Sequence, residues 1–246
     1  MKTDLFSIGS LTVHGYGLMI GIGFILAMLL AEYRAKRLGL REEAIIDITI
    51  IAGVSGFLGA KLLYVIVEFD EFIKNPKAVL GSAGFVVYGG IIAGVLCCML
   101  YCKVKKLNFM EYFDLVMPEI ALAQGFGRIG CFLAGCCYGK KLSTPIVIGT
   151  IEFARIPVQI IESMAEFILF IVLFILSKKN RDIDLLRIYL VIYAVIRFAD
   201  EFLRGDKIRG IYGGVSTAQW ISLIILFVYG FEYIKGRYSK KVNSSF

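Results

Sequence analysis

Apolar runs of about 20 residues, the length that crosses a bilayer as a helix, recur along nearly the whole chain. They leave few ways to fold it. The runs fall at roughly 15–33, 44–67, 84–102, 112–134, 158–177, 185–203 and 216–234 of the 246 residues. With 58% hydrophobic and only 19% charged residues, the sequence lacks the polar surface a soluble domain of this size would present. Hydrocarbon cannot solvate backbone N–H and C=O groups, so each run is predicted to close its hydrogen bonds internally as a helix. The expected fold class is an all-α integral membrane protein with about seven transmembrane helices, forming a single transmembrane domain over 1–246.

The opening segment, MKTDLFSIGSLTVHGYG, has no basic stretch leading to a small-residue cleavage site. The first run is therefore expected to be retained as a span and not removed as a signal peptide. The net charge of +7 invites a nucleic-acid reading, but the charges are placed otherwise. Arg34, Lys36, Arg37, Arg41, Lys103, Lys105, Lys106, Lys178, Lys179 and Arg181 follow spans one, three and five, and Lys235, Arg237, Lys240 and Lys241 fill the tail. Fewer cations, Lys2, Lys74, Lys77, Lys140, Lys141, Arg155, Lys207 and Arg209, flank the other side. The positive-inside rule then puts the amino terminus outside and the carboxyl tail in the cytoplasm. The positive charge is accounted for by topology and anionic headgroups, and no nucleic acid is expected as a partner.

The two longer connections, about 68–83 and 138–157, fall on the outer side. The second contains TPIVIGTIEFARIP, whose β-branched residues predict a short extended piece at the membrane surface. Paired small residues (Gly17/Gly21, Gly56/Gly59, Gly90/Gly94) suit close helix packing. The stretch GFGRIGCFLAGCCYG contains a literal GxGxxG, yet no strand precedes it, so it lacks the setting of a dinucleotide loop. Its glycines are read instead as thinning a helix around Arg128.

A charge inside the hydrocarbon region is costly and marks a functional site by default. In the sixth span, Tyr193, Arg197, Glu201 and Arg204 are spaced to share one helical face, with Asp200 on a neighbouring face. An Arg197–Glu201 pair that merely locks helices is the structural alternative. With the topology above, Gln124 and Arg128, Lys61 and Tyr64, and the sixth-span residues all fall in outer halves of spans. His14, Tyr16 and Tyr88 fall at outer span ends. Arg128, Arg197, Arg204 and Lys61 together suit an anion, and the guanidinium fork favours phosphate. At that depth the available anion is a phospholipid headgroup, which predicts a central lipid-binding cavity opening to the outer leaflet. Cys97, Cys98 and Cys102 lie near the inner end of span three, where they suit apolar packing. Cys131, Cys136 and Cys137 lie at the outer end of span four, where a disulfide would leave one thiol over. A four-ligand zinc site would need the only histidine, His14, so no metal or cofactor is expected.

The blocks HGYGLMIGIGF, GFLGAKLLYV, GFVVYGGIIAG, QGFGRIGCFLAGCCYG, RIPVQIIES, IRFADEFLRGD and STAQWISL resemble, in order, those of the prolipoprotein diacylglyceryl transferases. The resemblance implies a seven-span, multi-pass enzyme of the bacterial cytoplasmic (inner) membrane. Such an enzyme moves the diacylglyceryl group of phosphatidylglycerol, or a related anionic phospholipid, to the lipobox cysteine thiol of a prolipoprotein signal peptide. Glycerol phosphate is released. It implies that Arg128 is the essential arginine of the GRxGNFxNxE-type signature, and that Arg197, Glu201 and Arg204 are the sixth-span arginine, glutamate and arginine. Tyr16 matches the YG tyrosine, and Gln159 and Gln219 match two block glutamines. Lys61, Tyr64, Gln124, Gly127, Cys131 and Gly139 complete the expected substrate-binding set. The sequence departs from the family where Tyr88 replaces a histidine, Cys131 an asparagine, Cys136 a glutamate and Lys61 an arginine. With the histidine absent, Tyr88 is read as orienting substrate, and the base stays open between Glu201, which otherwise holds Arg197, and His14, whose simpler reading is an interfacial residue. Three other readings stay open: a paralogue with a different acceptor, a thiol-dependent membrane enzyme using Cys131, Cys136 and Cys137, and a non-enzymatic lipid binder.

Overall fold

The structure is a computed structural model that describes residues 4–8, 11–82, 84–148, 151–179, 183–206 and 210–243. Lys2, Arg181, Lys207 and Arg209, among the flanking cations above, lie outside the described residues. Helices dominate, as the apolar runs require. Among the described residues, four of them are long and apolar enough to cross a membrane: α1 (Gly15–Leu38), α2 (Glu42–Val67), α5 (Val87–Val104) and α8 (Val158–Lys179). On α2, Phe57, Leu58, Leu62 and Ile66 are all exposed. A surface of that kind is stable against lipid tails and an aggregation hazard in water. The fold is thus that of a predominantly helical membrane protein.

Contacts sort the chain into two compact units, 28–115 and 1–27 with 116–246. The 28–115 unit holds the later part of α1, then α2, α3 (Phe69–Lys74), α4 (Pro76–Gly81), α5 and α6 (Phe109–Leu115). Its centre is the α2–α5 contact, made through glycines as the small-residue spacing predicts. A Cβ built on Gly59 would stand 2.5 Å from the Gly89 carbonyl oxygen, and one on Gly90 would stand 2.7 Å from that of Gly56. Only hydrogen side chains allow the two backbones to approach this closely. The Lys61 ammonium fastens α2 to the chain before α5. It donates to the carbonyl oxygens of Ser82 at 2.7 Å and Gly84 at 3.3 Å, and sits over the Tyr64 and Phe85 rings.

The other unit contains a hairpin of β1 (Asp4–Ile8) and β2 (Leu11–His14), the start of α1, and α7 (Met117–Ala134). A second hairpin, β3 (Lys141–Ile148) with β4 (Ile151–Arg155), follows α7. Then come α8, α9 (Leu185–Asp200), the short pair β5 (Ile211–Tyr212) and β6 (Val215–Ser216), and α10 (Thr217–Asn243). α7 packs on α8, α8 on α9 and α9 on α10. The α7–α8 seam buries Met117, Ala121, Val158, Leu169 and Leu173 and is pinned by Ser163 Oγ donating to the Gly125 carbonyl at 2.9 Å.

Three local features differ from the spans read in the sequence. The fourth run is two helices, α6 and α7, because Pro118 sits in the first turn of α7 and has no N–H to continue the preceding ladder. α9 stops at Asp200, short of 203, because Leu203 O and Gly205 N bond to Lys140 N and Tyr138 O. Arg204 therefore leaves the helical face assigned to it and lies in a bridge opposite Gly139. The amino-terminal hairpin was not foreseen, whereas the extended piece after span four is the β3–β4 hairpin.

A Gly59→Val substitution is expected to lower the unfolding midpoint in detergent, with an overpacking cost of about 1–3 kcal/mol. Gly56→Ala, whose added carbon would meet only the Gly90 oxygen at 3.7 Å, is expected to be nearly neutral in the same thermal scan.

Candidate functional site

The site begins with a carboxylate that hydrocarbon alone would reject. Glu162 lies on α8 and is 2% exposed, so its charge persists only if cations meet it. Arg128 from α7 brings Nε to 3.0 Å of one oxygen, and Arg197 from α9 donates NH1 to the other at 3.2 Å. Arg204 approaches the second oxygen at 3.9 Å. Arg197 is held from its own helix by Glu201, 3.0 Å away and also buried. Arg204 is clamped by both oxygens of Asp206, at 3.0 and 2.6 Å. Burial works against the Arg204 charge, but the Asp206 hydrogen bonds keep its pKa above the ordinary arginine value.

The Arg128 contact is close but poorly aligned. It is an ion pair without hydrogen-bond geometry, and Glu162 Oε2 accepts no hydrogen bond among the described residues. The guanidinium of Arg128, with its side chain about a quarter exposed, therefore keeps its N–H donors open. A planar fork with open donors, anchored from the side by charge, is built to receive an oxyanion bidentately. One turn along α8, Glu166 is buried and its Oε2 likewise has no hydrogen-bond partner among the described residues. Asp200 is buried on α9. Tyr189 stacks on Tyr193 and donates its hydroxyl to Gln124 Oε1 at 2.8 Å.

The end of α7 shapes the rim. Gly135 takes the left-handed conformation (φ 71°), its N–H bonds Phe132 O, and Cys136 N–H bonds Cys131 O at 3.2 Å. This is a Schellman termination, in which the residue after the glycine returns over the helix's last turn. It brings Cys136 over Cys131, and Cys137, itself at φ 55°, turns its side chain back to the same place. All three sulfurs lie within 4.8 Å of one another. The neighbouring Cys131 thiol and the charges of Arg204 and Arg128 outweigh burial and lower the pKa of Cys137 from the ordinary thiol value. Gln159 Nε2 fixes the turn by donating to the Cys136 carbonyl at 2.6 Å. The Gly139–Arg204 bridge then ties this turn to the chain leaving α9.

Of the residues expected at the site, Arg128, Arg197, Glu201 and Arg204 are joined through ion pairs, and Cys131, Gly139 and Gln159 form the adjoining turn. The Tyr16 ring lies against Gly130 on α7, Gln124 is engaged by Tyr189, and Gly127 has open space beside it among the described residues. His14 is exposed at the end of β2. Gln219 is occupied otherwise: its side chain accepts from Ser216 N at 3.1 Å while Ser216 Oγ accepts from its N–H, a capping box starting α10. Lys61, Tyr64 and Tyr88 belong to the 28–115 unit, where Lys61 spends its donors on the loop carbonyls described above. Glu162, Glu166 and Asp206 were missed. Gln159, Glu162 and Glu166 stand three and four residues apart in an otherwise apolar span, a polar face that the cost of buried charge marks directly.

A buried cluster of guanidiniums and carboxylates, set among apolar helices with Arg128 making no hydrogen bond among the described residues, marks a helical membrane protein with a charged interior site. Comparison with known proteins narrows the class. The family profile described as prolipoprotein diacylglyceryl transferase matches residues 3–234. A phosphatidylglycerol–prolipoprotein diacylglyceryl transferase of Clostridium tetani is 42% identical, covering 98% of this chain and all of the relative. Similar proteins so named from Clostridium perfringens, at 40% identity, and Finegoldia magna, at 33%, cover at least 96% of this chain and 98% of their own lengths. The chain belongs to the prolipoprotein diacylglyceryl transferase family and is a transferase.

Replacing Glu162 with alanine would leave Arg128 and Arg197 facing each other without their shared anion. Breaking a buried pair in this way is expected to cost about 3–5 kcal/mol, read as a lowered unfolding midpoint in detergent, with Glu162→Gln showing a smaller loss.

Proposed function

We propose that the protein transfers the diacylglyceryl group of phosphatidylglycerol to the lipobox cysteine thiol of a prolipoprotein, releasing glycerol phosphate. The observation that carries this reading is the convergence of Arg128 and Arg197, from separate helices, on one buried carboxylate, with the Arg128 donors left open. The substrates named for the relatives supply the chemistry. A thiolate attacks the glyceryl carbon, the carbon–oxygen bond breaks, and negative charge grows on the departing phosphate. Preorganised donors aimed at that charge in a dry site are the main source of rate. Arg128 offers its fork to the phosphate, Arg197 shares the charge, and Arg204 assists from the bridge. Glu162 and Glu201 position the guanidiniums, and Gln159 and Gly139 hold the rim. Tyr16, Gln124, Gly127 and Cys131 line the lipid's approach, with His14 accepting the thiol proton; within the 28–115 unit, Tyr64 and Tyr88 are read as residues that contact lipid.

In this reading the whole chain, 1–246, is one multi-pass domain of the cytoplasmic membrane of a bacterium, with seven spans, the amino terminus outside and the tail inside. α7 and α9 count as spans although they carry charges, because their polar faces line a cavity open to the outer leaflet. Lys61 acts by bracing the segment before Tyr88, since its ammonium is already bonded, and Gln219 by starting the last span.

Arg128→Ala is expected to reduce lipid transfer from phosphatidylglycerol vesicles to a lipobox peptide by at least about 100-fold. Arg128→Lys should remain nearly as poor, because a point charge does not replace the fork. Transfer within a few-fold of the unaltered protein would overturn the mechanism. For the topology, a chain whose only cysteine is Cys136 should react in intact cells with a membrane-impermeant maleimide. Labelling only after the cells are opened would reverse the orientation.

A further inference from the structure

The three sulfurs at the end of α7 have no part in the phosphate chemistry, yet the fold gathers them deliberately. The Schellman turn sets Cys136 over Cys131, and the left-handed Cys137 folds back onto both. Packing does not explain the arrangement, since Cys136 is exposed and the other two are only partly buried. A disulfide would use two of them and strand the third. A metal ion uses all three. Around one zinc ion at about 2.3 Å, sulfurs stand about 3.8 Å apart; these lie within 4.8 Å of one another, so closing on an ion needs movements of roughly 1 Å or less. Two of the three are consecutive residues on backbone already pinned by Gln159 at 2.6 Å, which orients the sulfurs from outside the ligand sphere. Three thiolates with a divalent ion carry one net negative charge, and Arg128 and Arg204 face the cluster.

We infer that Cys131, Cys136 and Cys137 form a three-thiolate site for a soft divalent cation of the zinc type, whose open fourth position takes the acceptor's thiol. A closed structural site wants four protein ligands; three ligands and one open position are the pattern of a catalytic one. This role rests on the transfer reading above, and it supplies what the arginine cluster lacks. Glu162 and Glu201 are engaged with guanidiniums, whereas a coordinated thiol loses its proton outright. The steps balance. The acceptor thiol displaces water from the ion and releases its proton, which His14 accepts as in the transfer reading above. Its sulfur electron pair forms the bond to the glyceryl carbon while the carbon–oxygen pair leaves with the phosphate. The thioether formed is a weaker ligand and gives the position back to water.

The test uses the full chain, purified in detergent under reducing conditions and loaded with zinc or cobalt(II) alone. One equivalent of metal per chain is expected, falling toward none in Cys131→Ser, Cys136→Ser and Cys137→Ser. In the cobalt-loaded, unaltered chain, a lipobox peptide with its cysteine should intensify the sulfur-to-cobalt charge-transfer band, and the same peptide with serine should not. That comparison needs no variant to fold. Failure of the reduced chain to retain metal, equal retention by the triple serine variant, an identical response to both peptides, or full transfer after chelation would each overturn the inference. A chain that binds metal and responds to the cysteine peptide but transfers no lipid would support the metal site and refute the transfer reading, so the two fail separately.

Discussion

A single carboxylate organises the larger unit. Glu162 is out of reach of water, and leaving such a charge unmatched costs several kcal/mol. It can be buried only because α7 and α9 each direct a guanidinium to it and the chain after α9 brings a third near. The dependence runs both ways. Arg128 and Arg197 are tolerable in an apolar setting only while Glu162 lies between them. Helix packing, the bridge at Gly139 and the buried acids of α8 all serve this one exchange of charge.

The ion cluster also explains why the helices are not equally apolar. α1, α2, α5 and α8 meet the demands of a bilayer by composition alone. α7 and α9 carry Arg128, Arg197, Asp200 and the tyrosines, and so are less apolar. Arg197 is met by Glu162 and Glu201 and Tyr189 by Gln124, and Arg128 has its ion pair with Glu162, which is how charge is admitted to an apolar interior. In the smaller unit the same economy appears without charge. Glycine meets glycine between α2 and α5, and Lys61 gives its protons to carbonyls and its positive charge to aromatic faces.

Much of this was legible before any coordinates. Runs of bilayer length announced the helices, and the arginines stood out because apolar surroundings make charge expensive. The blocks around them resembled one family in order, and the comparisons show membership of it. The sequence was silent where local spacing gives way to tertiary contact. Helical periodicity carried Arg204 along with Arg197, but pairing with Gly139 ended the helix first. Gln219 read as a ligand residue through the family resemblance, although Ser216-Thr-Ala-Gln219 carries the S-x-x-Q spacing of a capping box. Glu162 and Glu166 were equally legible, since an acid spaced three or four residues from other polar groups in a hydrophobic helix carries the same information as an arginine there. The meeting of three sulfurs depends on two left-handed residues, Gly135 and Cys137, and only the first is a residue type that advertises such a turn.

The open donors of Arg128 bear on how such a protein behaves outside its membrane. A guanidinium that is mostly enclosed and, among the described residues, makes an ion pair with Glu162 but no hydrogen bond is an unfinished part of the interior, which in the proposed function an anionic headgroup completes. Lipid is then a component of the folded architecture as well as a reactant. Extraction that strips every phospholipid away should yield a looser protein than extraction that leaves one behind, because the last piece of the core arrives with the substrate and departs with the product.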